Sequence, residues 1–255
     1  MRSLTIKAAA VLCLAVLGCA FAVSVFEAPV LMYHHVGFPD SPSGLYVSPE
    51  TFEKQMEFLK VHRYRVVPLA ELAALIREKK PVPQKTVAVT FDDGYLDNFE
   101  NAFPVLKEMG FPAALFMITG NIGKEGWLSE EDLRILDEAG ITIGSHTVNH
   151  AFLPELKPEE VGKELAASKK KLEEVLGHPV TLLSYPAGGV TEPAIQEARK
   201  AGYEAALTTN YGREKGNVYA IRRVKISGNS GNLFRFWAKV SGYYHVGKKR
   251  IEIKQ

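Results

Sequence analysis

Short apolar runs alternate with amphipathic stretches along most of this chain of 255 residues. The apolar runs are short and rich in β-branched and aromatic residues, and turn residues bound them, as expected of buried strands. The pattern predicts strands at residues 30–33, 65–67, 87–91, 113–118, 141–144, 180–185 and 204–208.

Between these runs, helices are predicted from their start and stop residues. Ser48-Pro49 precedes one amphipathic stretch, and Ser129 with Asp132 forms a capping box before another. A glycine follows several of these stretches, as expected of a helix C-terminus. Repeated strand-then-helix units predict a parallel sheet covered by helices, and about seven units favour a closed or nearly closed β/α barrel of the α/β class.

The N-terminal stretch has a different composition. Arg2 and Lys7 precede a charge-free run from Ala8 to Phe26, which is the pattern of an export signal or a membrane anchor. Cleavage could follow Ala20-Phe21-Ala22, the run could remain as a span, and Cys19 offers a lipoprotein site as a third option. We therefore divide the chain into an N-terminal signal peptide or anchor at 1–27 and one catalytic domain at 28–255, and we expect an exported, extracellular or cell-surface protein, with membrane anchoring as an alternative.

Charge and cysteine content narrow the chemistry. The 31 basic and 29 acidic residues give a net charge of +2, which does not indicate a nucleic-acid partner. Both cysteines, Cys13 and Cys19, fall inside the N-terminal run. The predicted domain has no thiol, so any metal must be bound by His, Asp or Glu.

Reactive side chains collect where the predicted strands end. In a β/α barrel the carboxyl ends of the strands share one face, which is where catalytic residues are found. The residues at such ends are His34, His35, Asp92, Asp93, His146, His150 and the segment Tyr185-Pro186-Ala187-Gly188-Gly189.

Two of these groups together suggest a metal site. His146 and His150 could lie on one side of a helical turn, and a paired aspartate ends another strand. Alone, each has a plain alternative, namely solvent-facing histidines and a solvated turn. Together they favour a site of two histidines and one carboxylate, which suits borderline divalent ions and leaves positions open for water and substrate. One aspartate would bind the ion and the other would accept a proton, but the spacing does not assign these roles.

Three ordered motifs resemble those of the NodB-type polysaccharide deacetylases, carbohydrate esterase family 4. They are Thr90-Phe91-Asp92-Asp93-Gly94, Ser145-His146-Thr147-Val148-Asn149-His150 and Ser184-Tyr185-Pro186-Ala187-Gly188, and the likeness runs from about residue 30 to 227. The resemblance implies a distorted (β/α) barrel that removes acetyl groups from N-acetylglucosamine polymers with one divalent metal. It also implies Asp92 as general base and Asp93, His146 and His150 as metal ligands.

Two departures from the family pattern matter. Ser184 stands where the family usually has an arginine that holds the base. Arg222 or Arg223 could supply that cation, and we expect Arg223 to do so. The late Leu-x-His motif that carries the family's general acid is not visible. Met32-Tyr33-His34-His35-Val36 instead resembles the subgroup that deacetylates poly-β-1,6-N-acetylglucosamine, a biofilm exopolysaccharide, which implies His34 as the acid.

The remaining site expectations concern substrate and cofactor. The backbone N–H of Ala187 is expected to stabilise the oxyanion, with Pro186 beside it, and Tyr95, Tyr185 and Trp127 are candidate sugar-stacking walls. Zinc is the first expectation for the ion, while cobalt, nickel and iron suit the same ligands. The expected partner is an N-acetylglucosamine polymer, with cell-surface or membrane association.

Other functions remain open at the level of sequence. The same chemistry could act on peptidoglycan or chitin-type β-1,4 polymers, or on an amide that is not part of a sugar. A non-catalytic carbohydrate-binding barrel is an alternative of another class. The presence of all four residues Asp92, Asp93, His146 and His150 argues against it, because loss of one of them would be expected in such a protein.

Overall fold

Parallel strands form the centre of the molecule in a computed structural model that describes residues 26–39, 43–209 and 216–246. The strands are β1 (Val30–Tyr33), β2 (His35–Val36), β3 (Tyr46–Val47), β4 (Arg65–Val66), β5 (Thr86–Phe91), β6 (Ala114–Met117), β7 (Thr142–Ser145), β8 (Leu182–Ser184), β9 (Ala205–Thr208), β10 (Ile221–Arg222) and β11 (Val224–Lys225). The main sheet runs in the order β10-β9-β8-β7-β6-β5-β1-β11, β4 pairs with β5, and β2 and β3 form a separate pair.

The sheet curls into a nearly closed barrel. Its two end strands, β10 and β11, are separated in sequence only by Arg223, which brings the two edges of the sheet together. Ile221 pairs with Leu207 on one side and Val224 pairs with Leu31 on the other. The predicted barrel is therefore confirmed, with eight strands along its path where about seven were expected. The path includes two short strands that were not predicted, β10 and β11, which lie after Asn210 in the part of the chain with the least regular pattern, whereas the strand predicted at 65–67 lies off the path as β4.

Helices surround the barrel, and their ends follow the local sequence. They are α1 (Pro49–Val61), α2 (Leu69–Arg77), α3 (Phe103–Met109), α4 (Glu130–Glu138), α5 (Pro158–Leu176), α6 (Glu192–Lys200) and α7 (Leu233–Val240). Ser48 caps α1 by accepting a hydrogen bond from the N–H of Thr51. The predicted capping box of Ser129 and Asp132 is present at the start of α4. A short π-helix, Asn98–Ala102, precedes α3.

Successive side chains of each strand point to opposite faces of the sheet, and the buried apolar residues therefore form two clusters. One cluster contains side chains from inside the barrel together with residues of α2: Val30, Val67, Leu69, Leu72, Ala73, Ala88, Ala114, Phe116, Leu182, Ala205, Leu207 and Ile221. The neighbouring strand residues, such as Leu31, Val89 and Leu115, pack outward against the helices. Because side chains alternate with a period of two, Ala88, Thr90 and Asp92 share one face of the β5 register. Asp92 therefore has the same orientation as the side chains that fill the barrel, and it lies at the mouth of the barrel.

The N-terminal prediction falls largely outside the described residues, since only Phe26 of the apolar run is included. Within the described ranges, no helix has both the length and the apolar character needed to cross a membrane.

Candidate active site and metal centre

A sharp turn after β5 points two adjacent carboxylates in different directions. The N–H of Asp92 still donates to the carbonyl of Tyr33 at 3.0 Å, continuing the sheet. Asp93 then has φ +74° and Gly94 φ +93°, the left-handed region in which side chains are disfavoured. A Cβ on Gly94 would lie 2.1 Å from the sulfur of Met117. Glycine is therefore required for this turn, and the turn separates Asp92 from Asp93.

The two histidines after β7 lie on a loop. The expectation of a helical turn is wrong, because Thr147 and His150 have φ values of +65° and +56°. Glu164 of α5 holds this loop: its carboxylate accepts hydrogen bonds from the N–H groups of Val148 at 2.9 Å and Asn149 at 3.1 Å, and from the Asn149 amide at 2.6 Å. Such positive φ values away from glycine persist only when the surroundings enforce them.

Asp93, His146 and His150 offer three ligand atoms within 4.8 Å of one another. Asp93 Oδ1 lies 3.4 Å from His146 Nε2 and 3.6 Å from His150 Nε2. His146 donates its other ring proton, on Nδ1, to the carbonyl of Ser184 at 2.7 Å, which leaves Nε2 as a bare lone pair. Asp93 Oδ1 is buried without a hydrogen-bond donor. Unpaired acceptors that face one another need a cation between them, so these residues fit a divalent metal.

Burial and neighbouring charges shift the pKa values of all three residues. Burial alone would lower the pKa of His146, but the carboxylates of Asp92 and Asp93 outweigh it and raise this pKa. Burial would raise the pKa of Asp93, yet His146 keeps it below its ordinary value. Burial and the neighbouring His146 lower the pKa of His150. The carboxylates of Asp92 and Asp93 therefore stabilise positive charge on His146, whereas the neutral form of His150 is favoured.

Asp92 is held by a buried arginine. Arg223 Nη1 donates to Asp92 Oδ1 at 2.5 Å, and Nη2 donates to Asp92 Oδ2 at 2.6 Å and to Ser184 Oγ at 2.8 Å. Only 3% of Arg223 is exposed. Burial would raise the pKa of Asp92, but the guanidinium of Arg223 outweighs it and keeps this pKa well below its ordinary value. The small side chain of Ser184 leaves room for this two-pronged contact, and Asp92 Oδ2 lies 3.9 Å from His146 Nε2.

His34 belongs to the same cluster. It follows β1, its carbonyl accepts a hydrogen bond from the Asn98 amide at 2.7 Å, and its Nδ1 is buried without a partner. Burial lowers the pKa of His34, and the charges of Asp92 and Asp93 only partly offset this. The proton-carrying form of this imidazole is therefore a stronger acid than free imidazolium, and it is less populated at neutral pH.

The segment after β8 does not place Tyr185 where a sugar-stacking ring was expected. Tyr185 is fully buried in the helix-facing core, and Pro186 is also buried. Strand parity explains this outcome, because Ser184 faces the site and its neighbour must face outward. The ring of Tyr185 therefore does not form the exposed wall that the sequence suggested. Ala187 is exposed and has φ +51°, whereas its neighbours Pro186 and Gly188 are buried.

Aromatic rings form a row beside the metal centre. Tyr95 and Trp127 are half-buried with ring centroids 4.6 Å apart. The ring of His35 stacks on Tyr95 at 3.5 Å and on Tyr46 at 4.0 Å. Burial and the nearby Asp93 carboxylate raise the pKa of Tyr95. The row places flat apolar surface next to the carboxylates and imidazoles.

Sequence reasoning missed the supporting residues of this site. Asp97 accepts a hydrogen bond from His35 Nδ1 at 2.7 Å and thereby fixes the central ring of the aromatic row. Glu164 lies on a helix with an ordinary amphipathic pattern, and nothing in its local sequence distinguishes it from a solvent-exposed glutamate. Only the folded chain brings it to the histidine loop.

The chain is similar to several known proteins. The family model described as Polysaccharide deacetylase matches residues 79–206. YxkH of Bacillus subtilis (strain 168), provisionally named a polysaccharide deacetylase, is 38% identical over 210 residues, which is 81% of this chain and 74% of that protein. Poly-beta-1,6-N-acetyl-D-glucosamine N-deacetylase of Staphylococcus aureus (strain MRSA252) is 28% identical over 208 residues, 75% of this chain and 71% of that protein. The structure of Streptococcus pyogenes deacetylase PplD in complex with acetate matches with a TM-score of 0.74 at 27% identity, covering 79% of this chain and 93% of that one.

Proposed function

Because this chain belongs to the polysaccharide deacetylase family and is an enzyme of that class, we propose that it removes N-acetyl groups from poly-β-1,6-N-acetylglucosamine and releases acetate. The observation that carries the chemistry is the joint placement of Asp93, His146 and His150 around one point, with Asp92 beside them. The similarity to the Staphylococcus aureus enzyme supports the choice of polymer.

Asp93, His146 and His150 would hold one divalent ion, with zinc as the first choice and cobalt, nickel or iron as alternatives. When bound, such an ion polarises a carbonyl group and lowers the pKa of nearby water. The protein's part is to present Nε2 of His146 as a lone pair, through the hydrogen bond from Nδ1 to Ser184.

In the proposed reaction, Asp92 accepts a proton from the water molecule that attacks the acetyl carbon. Arg223 keeps this carboxylate ionised and fixes both of its oxygens. The carbonyl oxygen gains negative charge during the attack, and the backbone N–H of Ala187 donates to it. One donor of this kind contributes about 3 kcal/mol to transition-state stabilisation.

His34 then donates a proton to the amine nitrogen as the carbon–nitrogen bond breaks. The products are acetate and a glucosamine unit, and the water supplies the oxygen and hydrogen that they gain. A lowered pKa suits this step, because a less basic imidazole gives up its proton more readily. The rings of Tyr95 and Trp127 would support the sugar next to the scissile amide.

Because the proposed substrate is an exopolysaccharide, the proposal includes action at the cell surface. The charge-free run from Ala8 to Phe26 supports export or membrane attachment. An enzyme of this kind would modify the charge of an exopolysaccharide matrix by exposing amines.

Acetate release from three purified polymers tests the proposal. We expect release from poly-β-1,6-N-acetylglucosamine, little from chitin oligomers or peptidoglycan, and loss of release after treatment with a chelator. Preferential release from either β-1,4 polymer would contradict the choice of substrate. Release from none of the three polymers by the metal-loaded protein would contradict the deacetylase proposal itself.

A further inference from the structure

The last described helix, α7, has one wide apolar face that is only partly covered by the barrel. Phe236 and Val240 are buried, and the ring of Phe236 packs against Phe58 of α1 at a centroid distance of 5.7 Å. On the outer side, Leu233, Phe234 and Trp237 are 42%, 72% and 47% exposed. Arg235 and Lys239 lie on the remaining side of the helix. The apolar face of a surface helix normally packs against the core, so the exposed part of this face is an unusual surface.

This apolar surface is concentrated in one region. Of the eight large apolar residues that are exposed in the described chain, four lie in this C-terminal region: Leu233, Phe234, Trp237 and Val246. The rings of Phe234 and Trp237 contact each other, with centroids 5.6 Å apart. Scattered apolar residues on a surface are ordinary, but a contiguous patch indicates an interaction site. We call Leu233, Phe234 and Trp237 the α7 patch.

The charge-free N-terminal run joins the domain next to this helix. Phe26, the last residue of the run, contacts Tyr243 with ring centroids 5.9 Å apart. The N–H of Glu27 donates to the carbonyl of Gly242 at 3.0 Å. A Cβ on Gly242 would lie 2.1 Å from the Phe26 ring, so only glycine at this position leaves room for the ring. The chain therefore enters the domain at the C-terminal end of α7.

One basic side chain, that of Arg235, is exposed on α7 itself. The sequence beyond the described residues continues with Lys248, Lys249 and Arg250. Tryptophan and phenylalanine are the residues that favour the interface between lipid and water, and nearby basic side chains add attraction to anionic headgroups. If the charge-free run that ends at Phe26 is retained as a membrane span, it places a bilayer close to this end of α7.

We propose that the α7 patch rests on the surface of an anionic lipid bilayer and orients the barrel on the membrane that the N-terminal run reaches. The patch includes none of the catalytic residues, and the proposal adds a location, the membrane surface, to the proposed function. Burial of Leu233, Phe234 and Trp237 among lipid headgroups would cover the outer side of α7, while Arg235 contacts the anionic phosphates.

Tryptophan fluorescence tests this contact directly, because the chain has only two tryptophans. In the full-length Trp127→Phe variant, Trp237 is the single reporter. The variant is reconstituted into vesicles of phosphatidylcholine and phosphatidylglycerol, with and without brominated acyl chains. We expect a blue-shifted emission and quenching of about twofold or more by the brominated lipid, because the interface brings the indole close to the bromine atoms.

A matched reporter on another face provides the control. Ile135 of α4 is also an exposed apolar residue, 38% exposed, and it lies outside the α7 patch. The full-length Trp127→Phe/Trp237→Phe/Ile135→Trp variant should show no quenching beyond that seen with free tryptophan. Quenching of Trp237 no greater than that of the residue-135 reporter would overturn the proposal. A blue shift that depends on protein concentration and needs no lipid would also overturn it, in favour of a second copy of the chain.

Discussion

Asp92 and Asp93 are neighbours in sequence, but their carboxylates have different surroundings. Asp92 is paired with Arg223, whereas Asp93 Oδ1 faces two imidazole nitrogens and has no donor. The sequence predicted that this pair would divide two tasks, and its spacing left the assignment open. The positive φ of Asp93 separates the two side chains, and that backbone conformation is a property of the folded turn rather than of the two residues.

Arg223→Ala should change both stability and the pH dependence of activity. The guanidinium keeps the pKa of Asp92 below that of an unfolded carboxyl group. The pair therefore contributes stability above the unfolded pKa, and this contribution is lost as the pH falls through the folded pKa. Breaking a buried pair costs about 3–5 kcal/mol. We expect a loss of this size at pH 7, a smaller loss at acidic pH, and an acid limb of the rate profile that moves to higher pH.

Arg223→Lys is the matched variant for this prediction. It keeps the positive charge and loses the two-pronged contact with Asp92, so its stability and rate should fall between those of the wild type and Arg223→Ala. Denaturant unfolding at pH 7 and at about pH 2.5, below the ordinary pKa of an aspartate, together with acetate release as a function of pH, gives the comparison. An Arg223→Ala protein with the stability and rate profile of the wild type would rule out this role for Arg223.

At the scale of elements, apolar runs predicted strands well where burial is continuous. β1 has the predicted bounds, Val30–Tyr33, and the other six predicted strands are present with ends shifted by one or two residues. Of the two-residue strands only β4 was predicted, and β2, β3, β10 and β11 were not, because strands this short rarely form an apolar pattern of their own. The histidine loop was assigned to a helical turn for a related reason: its conformation depends on Glu164, which is distant in sequence.

Glu164→Ala should weaken metal binding while leaving the barrel folded. The carboxylate holds two backbone N–H groups of the histidine loop, and without it the strained φ values of Thr147 and His150 lose their support. Loss of such a supporting contact typically costs about 10–100-fold in metal affinity. Competition with a fluorescent chelator measures this affinity, and circular dichroism monitors the fold.

Glu159→Ala, on an exposed position of the same helix, is the control and should bind metal like the wild type. If Glu164→Ala bound metal as tightly as this control, the positioning role of Glu164 would have to be abandoned.

At the scale of the whole molecule, barrel closure explains how the site is assembled. His34, Asp92, His146, Ser184 and Arg223 come from five places in the chain, and strand parity turns each of them toward the same mouth. The repeated strand-helix pattern was sufficient to predict the barrel and the strand ends that carry the histidines and aspartates. That pattern alone could not show that Arg223, which lies between β10 and β11, contacts Asp92. This contact depends on how the sheet closes, and its expectation came from the family resemblance.

The central claim is that one cation held by Asp93, His146 and His150 works beside a separate base, Asp92. Bound metal and acetate release, measured on the same samples of wild type, Asp92→Asn and His146→Ala, test it most directly. We expect Asp92→Asn to retain the metal of the wild type and lose activity by at least about a hundredfold, as is typical for loss of a general base, and His146→Ala to lose both. Full activity in Asp92→Asn, or in wild-type protein shown to be free of metal, would contradict the account.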